Sequence, residues 1–87
     1  MIPMPAVALP EPARPLSLPT QVLESIQSAG ILGRTDDELE SLLKVRHESV
    51  SRARRALVQR GVVCDSGAHR ATRRGNFAIV WIVRENY

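Results

Sequence analysis

Residues 35–63, TDDELESLLKVRHESVSRARRALVQRGVV, decide the fold. Thr35 followed by three acidic residues predicts a helix start. A hydroxyl at the cap and Glu38 three residues later can each accept the other's backbone N–H. The acids also lie at the positive end of the helix dipole. Apolar residues at 39, 42 and 43 predict a short helix that ends near Lys44, so it needs packing to be stable.

A second helix is predicted for residues 47–60, after a connection of three residues. At about 100° per residue, Val50, Ala53 and Leu57 fall on one side of this helix. The opposite, polar side carries Glu48, Arg52, Arg55 and Gln59. Arg54 lies beside the apolar stripe and is expected to extend over the first helix of the domain. Gly61 is expected to end the helix.

Upstream, Pro19-Thr20 followed by QVLESIQSAG predicts a cap at Thr20 and a helix that ends at Gly30. All six prolines lie within residues 1–19. Proline fixes φ and removes the amide donor, so this segment predicts an extended or disordered arm. The arm is either a frayed tail or a segment that docks on a partner or on the domain. The folded domain is predicted to span residues 20–87.

Downstream of Gly61 the period changes to that of β-strands. Val62–Asp65 and FAIVWIV, residues 77–83, predict two strands of a hairpin with its tip near residues 71–76. Phe77 and Trp81 are expected in the core, and Cys64 as a small buried strand residue. The predicted fold class is therefore α+β, with three helices followed by a β-hairpin.

The charge of the chain is strongly polarised, although its net value is only +3. Residues 1–43 carry two arginines and six acids, which is −4, whereas residues 44–74 carry nine basic residues and two acids, which is +7. Such a chain presents a cationic face suited to a phosphate backbone. A GC-rich genome, which encodes arginine by default, would produce the same composition, so composition alone leaves the cause open.

Catalytic and metal chemistry find little support in the sequence. The single cysteine excludes an internal disulfide, and the only histidines, His47 and His69, have no ligand partners at metal spacing. The acids at 36–40 are explained by helix capping rather than by general acid–base work. We therefore expect no enzyme activity, no catalytic residue, no metal and no cofactor.

Residues 35–67, together with RATRRGNFAIVW, resemble the winged helix-turn-helix superfamily. They are most similar to MarR-like regulators and to small winged-helix proteins of phages and mobile elements. The resemblance covers about residues 20–84. It implies that the helix at 47–60 is a recognition helix in the major groove of DNA. The basic hairpin segment 66–76, called the wing below, would contact the backbone or the minor groove. The positions that match the family pattern are Thr35, Leu39, Leu42, Val50, Ser51, Arg52, Leu57, Gly61, Val62, Val63, Gly75 and Trp81.

The DNA contacts that the resemblance implies lie before and within the recognition helix and in the wing. Arg52 and Arg55 would contact guanine or phosphate, and Thr35 would either clamp a phosphate or only cap its helix. Glu48 would accept from a cytosine amine or only cap the recognition helix. The complete expected contact set is Thr35, Arg46, His47, Ser49, Ser51, Arg52, Arg55, Arg70, Arg73 and Arg74.

The expected function is therefore binding of double-stranded DNA, as a small transcriptional regulator or as a recombination or replication accessory factor. The alternative is a winged-helix adaptor that docks on proteins without touching DNA. A homodimer or a larger nucleoprotein assembly is the expected form on DNA. With no apolar run of membrane-spanning length and no secretion signal, no membrane partner is expected, and the location would be the cytoplasm, with the nucleoid.

Overall fold

A computed structural model describes residues 16–87, which form three helices followed by a two-stranded antiparallel hairpin. This α+β arrangement is consistent with a winged-helix topology, so the predicted fold class is confirmed. The helices are α1 (Leu18–Ala29), α2 (Asp36–Leu43) and α3 (His47–Gln59), and the strands are β1 (Val63–Ala71) and β2 (Phe77–Val83). Single 3₁₀ turns occupy Gly30–Leu32 and Arg84–Asn86. Within the described residues, no helix is long and apolar enough to span a bilayer.

Helix α1 begins two residues earlier than its predicted cap. Ser17 is the N-cap, and its side chain accepts a hydrogen bond from the amide of Thr20. Pro19 lies in the first turn, where its missing N–H would have had no helical partner. The predicted cap at Thr20 is therefore wrong, and the division between residues 19 and 20 falls inside α1. Residues 1–15, which make up most of the predicted arm, lie outside the described residues.

Helices α2 and α3 form where the sequence predicts them. The amide of Glu38 donates to Thr35 Oγ1 at 3.1 Å, and the amide of Thr35 donates to Glu38 Oε1 at 3.0 Å, which completes the capping box. Lys44 ends α2 in the left-handed conformation, with φ of 55°. The core lies where the three helices meet the start of β1 and the end of β2. It consists of Val22, Ile26, Leu39, Val50, Ala53, Leu57, Val63 and Val83.

Two aromatic residues of β2 differ in burial, although both were expected in the core. Trp81 is half-buried against the helical core, whereas Phe77 is 75% exposed. Phe77 opens β2 at the turn of the hairpin and pairs with Ala71, at the strand end farthest from the core contact of Val83. The prediction for Phe77 is therefore wrong. Cys64 is half-buried rather than buried.

Strand β1 is longer than predicted and irregular. It continues to Ala71, so the wing is mostly strand rather than loop, and the tip at residues 72–76 agrees with the prediction. Its register shifts between Asp65 and His69. There the amide of Gly67 donates to Asp65 Oδ1 at 2.8 Å, and the amide of Ala68 donates to Ser66 Oγ at 3.1 Å. Side chains thus occupy backbone amides that a regular strand would offer to a partner.

A short backbone bridge joins the segment before α2 to β2. The amide of Arg34 donates to the carbonyl of Trp81 at 2.9 Å, and the amide of Trp81 donates back at 2.8 Å. Gly33 precedes this bridge with φ of 63°. A Cβ at Gly33 would lie 2.7 Å from Val80 Cγ1 and inside contact distance of the Trp81 carbonyl oxygen. This close approach fixes α2, and with it the start of α3, against the hairpin.

Candidate nucleic-acid interface

The outward face of α3 carries the arginines that the sequence predicts there. Arg52 and Arg55 are exposed, as are Glu48 and Gln59 on the same face. Among residues 16–87, no ion pair joins Arg52 or Arg55 to a carboxylate. Both guanidinium groups are therefore available to an external acceptor. Just before the helix, Arg46 is exposed, and its side chain makes no capping bond.

Arg54, on the inner side of α3, binds α2 and β2 instead of extending over α1 as expected. Its Nε donates to Asp36 Oδ1 at 3.1 Å, and its Nη2 donates to Asp36 Oδ2 at 2.8 Å. The guanidinium also stacks over Trp81, 4.1 Å from the ring centroid. Both members of the ion pair are largely shielded from water, which strengthens a bidentate contact of this kind. Arg54 is thus a structural residue that fixes the orientation of α3.

We expect Arg54→Met to lower the free energy of unfolding by about 1–3 kcal/mol, because Asp36 would keep its charge in a shielded place without its cation. Methionine preserves much of the packing over Trp81. The matched control is Arg55→Met on the next, exposed position, which should change stability by less than about 0.5 kcal/mol. Urea unfolding measures both variants. Equal losses at the two positions would show that the Arg54 contacts contribute nothing specific.

Ser51 was expected to contact DNA, but the structure places it inside. Its side chain is 7% exposed, and its hydroxyl donates to Asp36 Oδ2 at 3.0 Å. Ser51 follows Val50 around the helix on the side that α2 covers, so its hydroxyl faces the carboxylates of that helix. The prediction of Ser51 as a surface contact is therefore wrong. Ser49 is half-buried on the other flank of α3.

Thr35 is also withdrawn from the surface. It is fully buried, and its hydroxyl already accepts the amide of Glu38. Of the two expected roles, the structure shows capping. The phosphate clamp is wrong because the Thr35 side chain is fully buried and its hydroxyl is already hydrogen-bonded.

His47 opens α3 with its ring 67% exposed. Its Nδ1 lies 2.8 Å from Glu40 Oε2, and its Nε2 lies 3.4 Å from Ser51 Oγ. The hydrogen bond to Glu40 raises the pKa of His47, and this effect exceeds the opposite effect of partial desolvation. His47 therefore lies on the surface at the start of α3, and Glu40 of α2 favours its charged form.

Two wing arginines are paired with α2. Arg70 Nη1 donates to both carboxylate oxygens of Glu38 at 2.7 Å, and Arg70 also donates to the carbonyl of Leu32. Arg73 Nε donates to Asp37 Oδ1 at 2.9 Å. Partial desolvation raises the pKa of Asp37, but hydrogen bonds from the Arg73 backbone and side chain lower it by more. These contacts hold the wing against the N-terminus of α2, which the sequence does not predict.

Arg74, at the turn of the wing, is exposed and has no ion pair among the described residues. It lines a cleft of about 250 Å³ between the wing, α2 and the start of α3. His47 lines the same cleft from the α3 side. The wing turn and the first residue of α3 therefore meet at one place on the surface.

The basic residues of segment 44–74 fall into two groups, according to whether they pair with an acid of α2. Asp36, Asp37, Glu38 and Glu40 all lie within 4.0 Å of a cation of α3 or the wing. The rest of the basic residues in segment 44–74 are exposed and lack a carboxylate partner within residues 16–87; we call them the unpaired cations. They are Lys44, Arg46, Arg52, Arg55, Arg60 and Arg74.

The residues described here also include no cluster of three or more His, Cys, Asp or Glu side chains that could hold a metal ion. In comparisons with known proteins, the chain matches no protein-family model, no curated protein and no solved structure. Any function assigned to this surface therefore depends on its geometry and its charge.

Proposed function

We propose that this protein binds double-stranded DNA, with α3 in the major groove and the wing turn on the flanking backbone. One observation carries the proposal. The outward face of α3 exposes Arg52 and Arg55, which have no carboxylate partner among residues 16–87, while the acids of α2 are already paired. A transcriptional regulator and a recombination or replication accessory factor are both roles that such binding would serve.

The chemistry of the α3 face suits base edges and phosphates. An α-helix fits the major groove, and arginine donates two parallel hydrogen bonds to guanine O6 and N7 or to a phosphate. The wing has divided roles in this arrangement. Arg70 and Arg73 hold it against α2, and Arg74 at its turn extends to the backbone. This arrangement differs from the expectation that all three wing arginines contact the phosphates or the minor groove.

One copy of a module this small would bury about 600–1,000 Å² on DNA, which seldom gives strong sequence preference. We therefore infer that two copies bind adjacent half-sites or that the protein joins a larger nucleoprotein assembly. On long duplexes, we expect binding to rise with protein concentration with a Hill coefficient above one. On a duplex that carries a single half-site, the coefficient should be one.

A protein-binding adaptor is the second candidate, and an apolar surface favours it. Ile31, Leu32 and Tyr87 are 79%, 70% and 83% exposed, and they line one groove with Val80 and Ile82 of β2. Exposed apolar groups that cluster in this way are typical of interaction surfaces. An adaptor of this kind would bind its protein partner through this groove, so substitutions on α3 would leave its affinity for that partner unchanged.

Salt dependence separates the two candidates. If the six unpaired cations meet phosphates, log affinity for duplex DNA should fall against log salt with a slope of about −5, or roughly 1,000-fold between 50 and 200 mM. Fluorescence anisotropy of a labelled duplex measures the slope. Arg74→Ala should reduce the slope by about one, whereas Arg84→Ala, an exposed arginine after β2, should leave it unchanged. A slope near zero would favour the adaptor.

A further inference from the structure

A hydrogen-bonded chain of four polar side chains joins α2 to residues 47–51 at the start of α3. Glu40 Oε2 contacts His47 Nδ1 at 2.8 Å, His47 Nε2 lies 3.4 Å from Ser51 Oγ, and Ser51 Oγ donates to Asp36 Oδ2 at 3.0 Å. Three of the four side chains are largely shielded from water, and only the imidazole is mostly exposed. His47 is therefore held by α2 on one side and free to meet a ligand on the other.

The proton count along this chain favours a charged imidazole. The hydroxyl proton of Ser51 is committed to Asp36, so toward His47 the Ser51 oxygen can only accept. Glu40 likewise can only accept while it is ionised. Both ring nitrogens of His47 therefore face acceptors, and only the imidazolium carries a proton on each nitrogen. In the neutral ring, the nitrogen without a proton directs its lone pair at a lone pair of the Glu40 or the Ser51 oxygen.

The acids around His47 all favour its protonation, whereas the neighbouring arginines, including Arg46 just before it in the sequence, oppose it. Asp36 and Glu40 from α2 and Glu48 from α3 raise its pKa. Asp37 lines the same cleft, where Arg74 of the wing opposes these acids. Arg73 lies 3.9 Å from Glu40 and weakens its pull. Because the pKa of His47 is raised above the ordinary 6.5, the cation is present below pH 6.5 and is lost as pH rises through the raised value.

We propose that His47 is a proton-controlled DNA contact, which adds a positive charge at the start of α3 when protonated and withdraws it when neutral. This inference rests on the proposed function and adds its regulation. The imidazolium stands beside exposed Arg46 and opposite Arg74, where the wing turn meets α3. A phosphate bound between these groups would stabilise the proton further, so DNA binding and proton uptake are coupled. The protein accordingly binds DNA more tightly in mildly acidic than in mildly alkaline solution.

Duplex affinity at about pH 6 and about pH 8 tests the proposal, because an imidazole changes charge across this interval. The wild-type protein should bind roughly 5- to 10-fold more tightly at the lower pH, with a salt slope steeper by about 0.9, as one additional phosphate contact requires. His47→Gln keeps a polar side chain that does not titrate, so its affinity should equal that of the wild type at the higher pH and barely change with pH. The matched control is His69→Gln, an exposed histidine on β1, which should keep the full pH response.

Nuclear magnetic resonance titration of the His47 imidazole in the DNA-free protein tests the hydrogen bonds between these four side chains directly. Glu40→Gln should lower the pKa of His47, whereas Glu48→Gln, an exposed acid on the same helix turn, should change it much less. A wild-type protein with equal affinity at both pH values, or a pH response that survives in His47→Gln, would overturn the proposal. Failure to bind duplex at either pH would instead contradict the proposed function, and this regulation with it.

Discussion

Replacing Arg52 and Arg55 together by alanine is expected to weaken duplex binding by about 2–6 kcal/mol, since each arginine contact to a base edge or phosphate contributes about 1–3 kcal/mol. Both side chains are exposed and form no ion pair with another of the described residues, so the fold should be unaffected. Anisotropy with a labelled duplex measures the loss, and circular dichroism confirms that α3 remains intact.

The single variants Arg52→Lys and Arg55→Lys define which kind of contact each residue makes. Lysine keeps the charge but loses the planar fork, so a contact that needs only the charge should survive the change, whereas a bidentate contact should weaken. Selection from a random duplex library should then show relaxed preference at one base position for the base-reading arginine. If the double alanine variant binds duplex as tightly as the wild type, the outward face of α3 is not the interface.

Gly33→Ala is expected to lower the free energy of unfolding by about 2–6 kcal/mol. The positive φ costs an alanine about 1–3 kcal/mol, and forcing its Cβ against β2 adds about 1–3 kcal/mol. A chain of this length has a total stability of only about 4–13 kcal/mol. The new methyl group would displace Val80 and the Trp81 carbonyl, and so break the backbone bridge to Arg34. Thermal and urea unfolding measure the loss.

Gly30→Ala is the matched control for this substitution. Gly30 also has a positive φ, of 56°, but a Cβ there would meet no atom of the described part of the chain within 4 Å. Its variant should therefore lose only the conformational part, about 1–3 kcal/mol. The difference between the two variants isolates the steric clash with β2. Indistinguishable stabilities would mean that the close approach of Gly33 to β2 does not support the fold.

The features that can be predicted from the sequence are those set by interactions between residues close together in the chain. The capping box of Thr35 and Glu38 and the apolar stripe of α3 operate within a few residues, so the limits of α2 and α3 are correct to within one residue. The bridge between Arg34 and Trp81 joins residues far apart in the chain, and no short pattern marks it. The N-cap of α1 is missed for another reason. Pro19 looks like a boundary, although proline is well suited to a first helical turn.

The candidate site is predicted only in part. Helical periodicity identifies the polar side of α3, but it does not show which residues on that side another element covers. Arg52 and Arg55 lie farthest from the apolar stripe of α3, and they are exposed as expected. Ser51 and Arg54 lie nearer to it, and only the position of α2 decides that they are enclosed. The pairing of wing arginines with α2 depends on the same tertiary placement.

The irregular middle of β1 affects how copies of this protein can pack against one another. Asp65 and Ser66 occupy the amides of Gly67 and Ala68, and the register is shifted there. Strands that meet edge to edge need a regular series of open donors and acceptors to zip into a larger sheet or a fibril. This protein does not offer one over that stretch. Copies of this protein that lie side by side therefore lack, at residues 65–68, the continuous row of open amides through which two β1 strands could pair.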